Sequence, residues 1–222
     1  MILQAIGLLL PLAVAMAISS VPIMAALLIL LSPNSNRSSI AYLAGWTLGI
    51  IVLALLFSAG AMAVPDRAEH RSNLAFGIAQ IVIGVAMEVF ALLMWKRSER
   101  DAIQELPKWL RAVAAVRPLH AFGFGFGLNL RPKALLLGAV VGMVLSTQAL
   151  RPGEFLIALA VYTAICASTV GIPVVYSHFK PEQAQPRLKL IRDWIVQNNR
   201  LITILVMVII GCVVMGHGMT LL

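Results

Sequence analysis

The sequence predicts an all-α integral membrane protein, and three observations carry that prediction. Hydrophobic residues fill 60% of the 222 positions, charged residues only 12%, and the mean hydropathy is +0.93. A soluble domain would carry about 25% charge. The apolar residues are gathered into runs long enough to cross a hydrocarbon core of about 30 Å, and nearly all the charges fall between those runs. Six spans are expected, arranged as two inverted three-helix repeats. Residues 1–95 would form the first repeat, 96–118 a cytoplasmic amphipathic linker and 119–222 the second repeat. The net charge of +8 then reads as topology and attraction to lipid surfaces, not to nucleic acid.

The first apolar run, Ile2 to Leu31, holds 30 residues without a charge. A continuous helix of that length would measure about 45 Å, so it must tilt, protrude or break. Ser19, Ser20 and Pro22 mark the expected break, leaving a half-helix from Ile23. No Lys or Arg precedes Arg37, so a basic signal-peptide n-region is missing and the run is expected to stay in the mature chain. Residues 32–37 read as a turn. The second span, Ile40 to Val64, places Gly45 and Gly49 four apart, which suits close helix packing. The third, Leu74 to Trp95, contains Glu88.

Between the third and fourth spans, Ile103, Leu106, Trp109, Leu110 and Val113 recur at helical spacing among cations, the pattern of a helix lying on a membrane surface. A similar stretch around Leu188, Leu190, Ile191, Trp194 and Ile195 precedes the sixth span, Leu201 to Leu222. The fifth span is Phe155 to Tyr176. The fourth, Leu119 to Thr147, is interrupted by Asn129-Leu130-Arg131-Pro132-Lys133. A charge inside a span costs about 3 kcal/mol on insertion scales, and proline removes a helical hydrogen bond.

The cations assign sides. With the N-terminus outside, the inner loops hold twelve of the 17 Lys and Arg and the outer loops three; Arg131 and Lys133 are the other two. That bias predicts a plasma-membrane protein with both termini outside. Setting Pro22 over Pro132 places Ser19 on Asn129. Each break is followed by a short apolar half-helix, a proline-containing turn and two further spans. An odd number of spans per half inverts the second half, the plan of secondary transporters whose sites sit at broken helices.

The residues Pro22 to Pro33, followed by Ala41-Tyr42-Leu43-Ala44-Gly45-Trp46-Thr47-Leu48-Gly49, resemble the actinobacterial lipid-addressing family. These are the sulfolipid- and glycopeptidolipid-addressing proteins, a branch of the LysE exporter superfamily. Asn129 to Leu137 is similar to the Asn-Pro-Lys motif opening the fourth span of such proteins, although Leu130 and Arg131 stretch it here. The resemblance implies a LysE-like exporter fold and help in moving surface glycolipids or other small solutes outward.

The candidate substrate-binding residues are Arg131, Lys133, Asn129, Ser19 and Ser20. Arg131 and Lys133 would point about 200° apart on a regular helix, whereas unwound backbone at Pro132 lets both reach one anionic group. Otherwise they snorkel at the interface. Glu88 would pair with one of them or carry a coupling proton. Ser19 and Ser20 either satisfy carbonyls freed by Pro22 or bind substrate. Pro22, Pro132, Gly123 and Gly127 are the candidate hinges; the two glycines lie four apart and also suit close helix packing.

His120 and His217 lack ligand spacing and Cys166 and Cys212 form no CxxC, so neither metal, cofactor nor redox pair is expected. No GxSxG, HExxH or P-loop pattern occurs, which points away from an enzyme. The expected activity is export of glycolipids or a related anionic or zwitterionic solute by alternating access. Export of amino acids or small metabolites, and a non-transporting role in a lipid-export machine, are the alternatives. Membrane lipids, a second copy of the chain and that machine are the candidate partners.

Overall fold

The computed structural model describes residues 2–32, 35–62, 69–96, 117–148 and 150–219, and no strand occurs among them. The helices are α1 (Ile2–Ala17), α2 (Ser20–Leu30), α3 (Ser35–Met62), α4 (Glu69–Lys96), α5 (Pro118–Gly127), α6 (Pro132–Thr147), α7 (Pro152–Phe179) and α8 (Pro181–Met219), with one 3₁₀ turn, Leu128–Leu130, between α5 and α6. The surface helix expected within 96–118 lies outside the described residues, apart from the ends of that segment.

A single local rule starts α5, α6 and α7. Each opens on a proline preceded by an arginine in extended conformation: Arg117 (φ −63°, ψ 153°), Arg131 (φ −72°, ψ 147°) and Arg151 (φ −64°, ψ 153°). Proline pushes the residue before it out of the α region, and at the first helical position its missing N–H costs nothing. α8 likewise begins at Pro181, after Lys180 closes α7.

Helix α3 is the centre of the bundle, packed on α2, α5, α6 and α7. Small residues set how closely it is approached. A Cβ on Gly45 would fall on the Phe122 carbonyl and one on Gly49 on the Asn129 amide. Further along, a Cβ on Gly138 would meet the Leu53 side chain and one on Gly142 would meet Phe57. Contacts thus advance together along both chains, so α3 runs parallel to α5 and α6. The close packing expected at Gly45 and Gly49 is present. On the α5 side, however, its glycine is Gly125, whose Cβ would lie 2.5 Å from the Tyr42 carbonyl oxygen. Gly123 and Gly127 have open space there. The three glycines alternate, and the face that meets α3 selects the middle one.

Two other pairings complete the bundle. Cys166 and Thr169 of α7 bond Ala13 and Ala17 of α1 in step, so α1 and α7 are parallel. α4 lies antiparallel to α8: Gly84 packs against Gly211 and Met215, and Gly218 against the Gly77 carbonyl. Outward-facing Val82, Val85, Phe90, Leu156, Ile172, Leu205 and Ile209 are exposed, as lipid contact demands and water would not favour.

By length and composition, α3 from Asn36, α4 from Gly77 and α7 each suffice to cross a membrane. The pairs α1–α2, bent by 51°, and α5–α6, bent by 69°, bring the number to five if each is one span. Within α8 the apolar stretch Leu201–Gly216 is shorter. The second amphipathic stretch is not a separate surface helix but the first half of α8, a continuous helix of 39 residues. Ala184, Leu188 and Ile195 are buried while Leu190, Ile191 and Trp194 are exposed, so packing of one face against α2 keeps this segment with the bundle.

Candidate functional site at the two broken spans

At the first break α1 ends at Ala17, Ser19 is extended (φ −92°, ψ 110°) and α2 begins at Ser20. Pro22 is therefore the third residue of α2, within the first turn, where backbone N–H groups lack intrahelical partners anyway. Ser19 makes no capping hydrogen bond. The carbonyl left open at Ala17 is held instead by α7, where Thr169 Oγ1 donates to it at 2.8 Å. One open carbonyl at this break is thus taken by a neighbouring helix.

At the second break α5 gives way to the 3₁₀ turn, and Arg131 is the extended joint before Pro132. Asn129 is 1% exposed. Its Nδ2 lies within hydrogen-bond distance of three carbonyls: Gly125 at 3.2 Å, Phe126 at 3.4 Å and, across the helix interface, Trp46 at 3.3 Å. One amide therefore closes the end of α5 and ties it to α3. Its Oδ1 and the Trp46 indole N–H are buried without a partner among the described residues.

The two breaks meet at Tyr42, to which the sequence pattern assigns no role of its own. Tyr42 is fully buried in α3. Its hydroxyl donates to the Pro22 carbonyl at 2.9 Å, and its ring stacks on Phe124 of α5 with centroids 6.3 Å apart. Arg131 lies within electrostatic reach of both Tyr42 and Lys133. Arg131 and Pro132 are exposed and Lys133 is half-buried. The first-turn N–H groups of α6 add a positive dipole end at the same place. The arrangement is an open, cationic elbow in a bent helix, able to receive a carboxylate, phosphate or sulfate.

Glu88 is not part of it. Its carboxylate lies over Gly211 of α8 and accepts from Cys212 Sγ at 3.5 Å. No ion pair among the described residues joins it to Arg131 or Lys133, because α4 packs principally on α8 and places Glu88 in that seam. Cys166 and Cys212 are both free, one against α1 and the other beside Glu88.

Among the described residues, three cavities lie elsewhere. One of about 590 Å³ runs between α3 and α7, one of about 600 Å³ between α1, α6 and α8, and one of about 150 Å³ where α2, α3, α7 and α8 meet. None of the three is lined by Arg131 or Lys133. No group of His, Cys, Asp and Glu suited to a metal occurs among the described residues.

No curated protein and no solved structure matches the chain. A family does, by its description Sap, sulfolipid-1-addressing protein, over residues 9–220. With nearly its whole length matched, both broken spans and the elbow included, the chain belongs to the Sap family of membrane proteins.

Proposed function

We propose that this protein moves an anionic or zwitterionic lipid head group outward across the membrane, with Arg131 and Lys133 as its contacts. The observation that carries the reading is the open elbow at Arg131 and Pro132, bent by 69° and exposed to the surface of the bundle. A closed cavity suits a small solute that must be wholly engulfed. A lateral opening suits a lipid, whose head group can pass while its tails stay in the bilayer. The family's own description, a protein addressing sulfolipid-1, agrees with an anionic head group. Arg offers it a planar fork and Lys a point charge.

In this reading the bundle has six spans in two inverted halves, the short apolar stretch of α8 being the sixth. The helix pairings support it. Exchanging the halves carries the α1–α7 pair onto the α5/α6–α3 pair, both parallel, and returns the antiparallel α4–α8 pair onto itself. The break at Arg131 follows about 21 Å of α5 and 3₁₀ turn, which supports a site well inside the span. Tyr42 then couples the two breaks, and Pro22 and Pro132 are the hinges of alternating access.

The test is reconstitution in liposomes with a fluorescent sulfated lipid whose transbilayer movement is read by surface quenching. Wild type moves the lipid, and Arg131→Ala and Lys133→Ala abolish movement while inserting normally. Undiminished movement in both variants would overturn the cationic site. A second reading, a non-transporting accessory subunit of a lipid-export machine, is favoured by the absence of Arg131 and Lys133 from the lining of those three cavities. It gains if wild type moves no lipid under any ion gradient.

A further inference from the structure

The cavity between α3 and α7 is a separate feature with its own chemistry. It is an apolar groove of about 590 Å³, walled by Leu43 and Thr47 on one side and Ala167, Gly171 and Val175 on the other, and closed at one end by Lys180. On α7 its lining residues extend from Ala164 to Lys180 at helical spacing, a face about 24 Å long. That covers most of a hydrocarbon core of about 30 Å. A Cβ on Gly171 would meet only the Leu43 methyls, at 3.8 and 4.0 Å, so the floor of the groove is open. At the Lys180 end, Arg187 of α8 donates to the Tyr176 hydroxyl at 3.1 Å and stacks over its ring at 5.9 Å. The groove is therefore apolar along its length and cationic at one end, with a phenol at the boundary.

We propose that this groove seats one acyl chain of an anionic phospholipid, with its phosphate held by Lys180 and Arg187. The charge arrangement selects the occupant. A lipid is the one membrane component that presents a long apolar chain and an anionic group in that order, and tyrosine is enriched where the two meet. Lys180 is exposed at the corner between α7 and α8, free of the bundle interior. The site requires nothing from Arg131, so it stands or falls apart from the transport reading.

The experiment uses the full-length protein in nanodiscs of phosphatidylcholine doped with phosphatidylglycerol carrying a mid-chain diazirine. After illumination, adducts are mapped by peptide mass spectrometry. Labelling concentrated on residues 43–47 and 164–175 is expected. Thr47→Phe and Gly171→Phe, which fill the groove from opposite walls, should each remove it. Lys180→Gln and Arg187→Gln should each lower phosphatidylglycerol labelling about fivefold while leaving that of a phosphatidylcholine analogue unchanged. Gel filtration and the melting temperature show which variants are folded. The two Gln variants change exposed side chains, so their result decides the matter even if both Phe variants misfold. Arg131→Ala should label as wild type does. Labelling spread evenly over all lipid-facing helices, labelling intact in a folded Phe variant, unchanged preference in the Gln variants, or chain-to-chain adducts in place of lipid adducts would each overturn the proposal.

Discussion

The hydroxyl of Tyr42 donates a 2.9 Å hydrogen bond to the carbonyl oxygen of Pro22, joining α3 to the first turn of the half-helix α2. The same ring stacks on α5, just before the second break. One side chain thus touches both halves of the chain at the places where their helices are interrupted.

Tyr42→Phe keeps the ring and removes the bond. Hydrogen bonds between membrane helices contribute about 0.6 kcal/mol on average, so unfolding in mixed micelles should shift by about that much. On the proposed transport reading, lipid movement should fall far more, by about tenfold, because the two breaks lose their link. Equal, small effects on both readouts would show that the bond only stabilises the fold.

Gly45→Ala and Gly123→Ala should differ in sign. The first sets a methyl against the Phe122 carbonyl, which is backbone and cannot swing aside, and should destabilise by about 1–3 kcal/mol. The second projects into open space and should gain up to about 1 kcal/mol from helix propensity. Thermal unfolding of the purified variants in detergent measures both.

Asn129→Ala leaves the Gly125, Phe126 and Trp46 carbonyls without their shared donor, at a cost of about 1–3 kcal/mol. Its melting temperature should drop, while the apparent affinity for lipid in the folded fraction stays near that of wild type. A normal melting temperature with weakened affinity would instead make Asn129 a head-group contact.

Exchanging charges between Glu88 and Arg131 should not restore what Arg131→Glu loses. Glu88 belongs to the α4–α8 seam beside Cys212, so the double variant Glu88→Arg, Arg131→Glu should move no more lipid than Arg131→Glu alone. Recovery of movement would place the two side chains together in another conformation.

The second break was legible because proline acts locally: Pro132 forces Arg131 extended whatever surrounds it, whereas at the first the extended residue is Ser19, three before Pro22. The same dipeptide at Arg117-Pro118 and Arg151-Pro152 was an available sign of two more helix starts. Gly45 and Gly49 were legible from their spacing. What the spacing could not settle was which partner each face meets. That choice made Gly125 the packed glycine of its run, sent Glu88 to α8 in place of Arg131, and drew residues 184–195 onto the bundle. Tyr42 was hidden for a related reason. A tyrosine in an apolar helix reads as ordinary bulk until the carbonyl it reaches, twenty residues away, is known.

Helix α8 has one more consequence. At 39 residues it is a rod about 58 Å long, with Pro186 near its start and no proline beyond it. Near one end Gln185 Nε2 donates to the Leu30 carbonyl, at the tail of α2. Near the other, Gly211 and Gly218 are clamped against α4. One continuous helix therefore reaches from the tail of α2 to the α4 seam that holds Glu88.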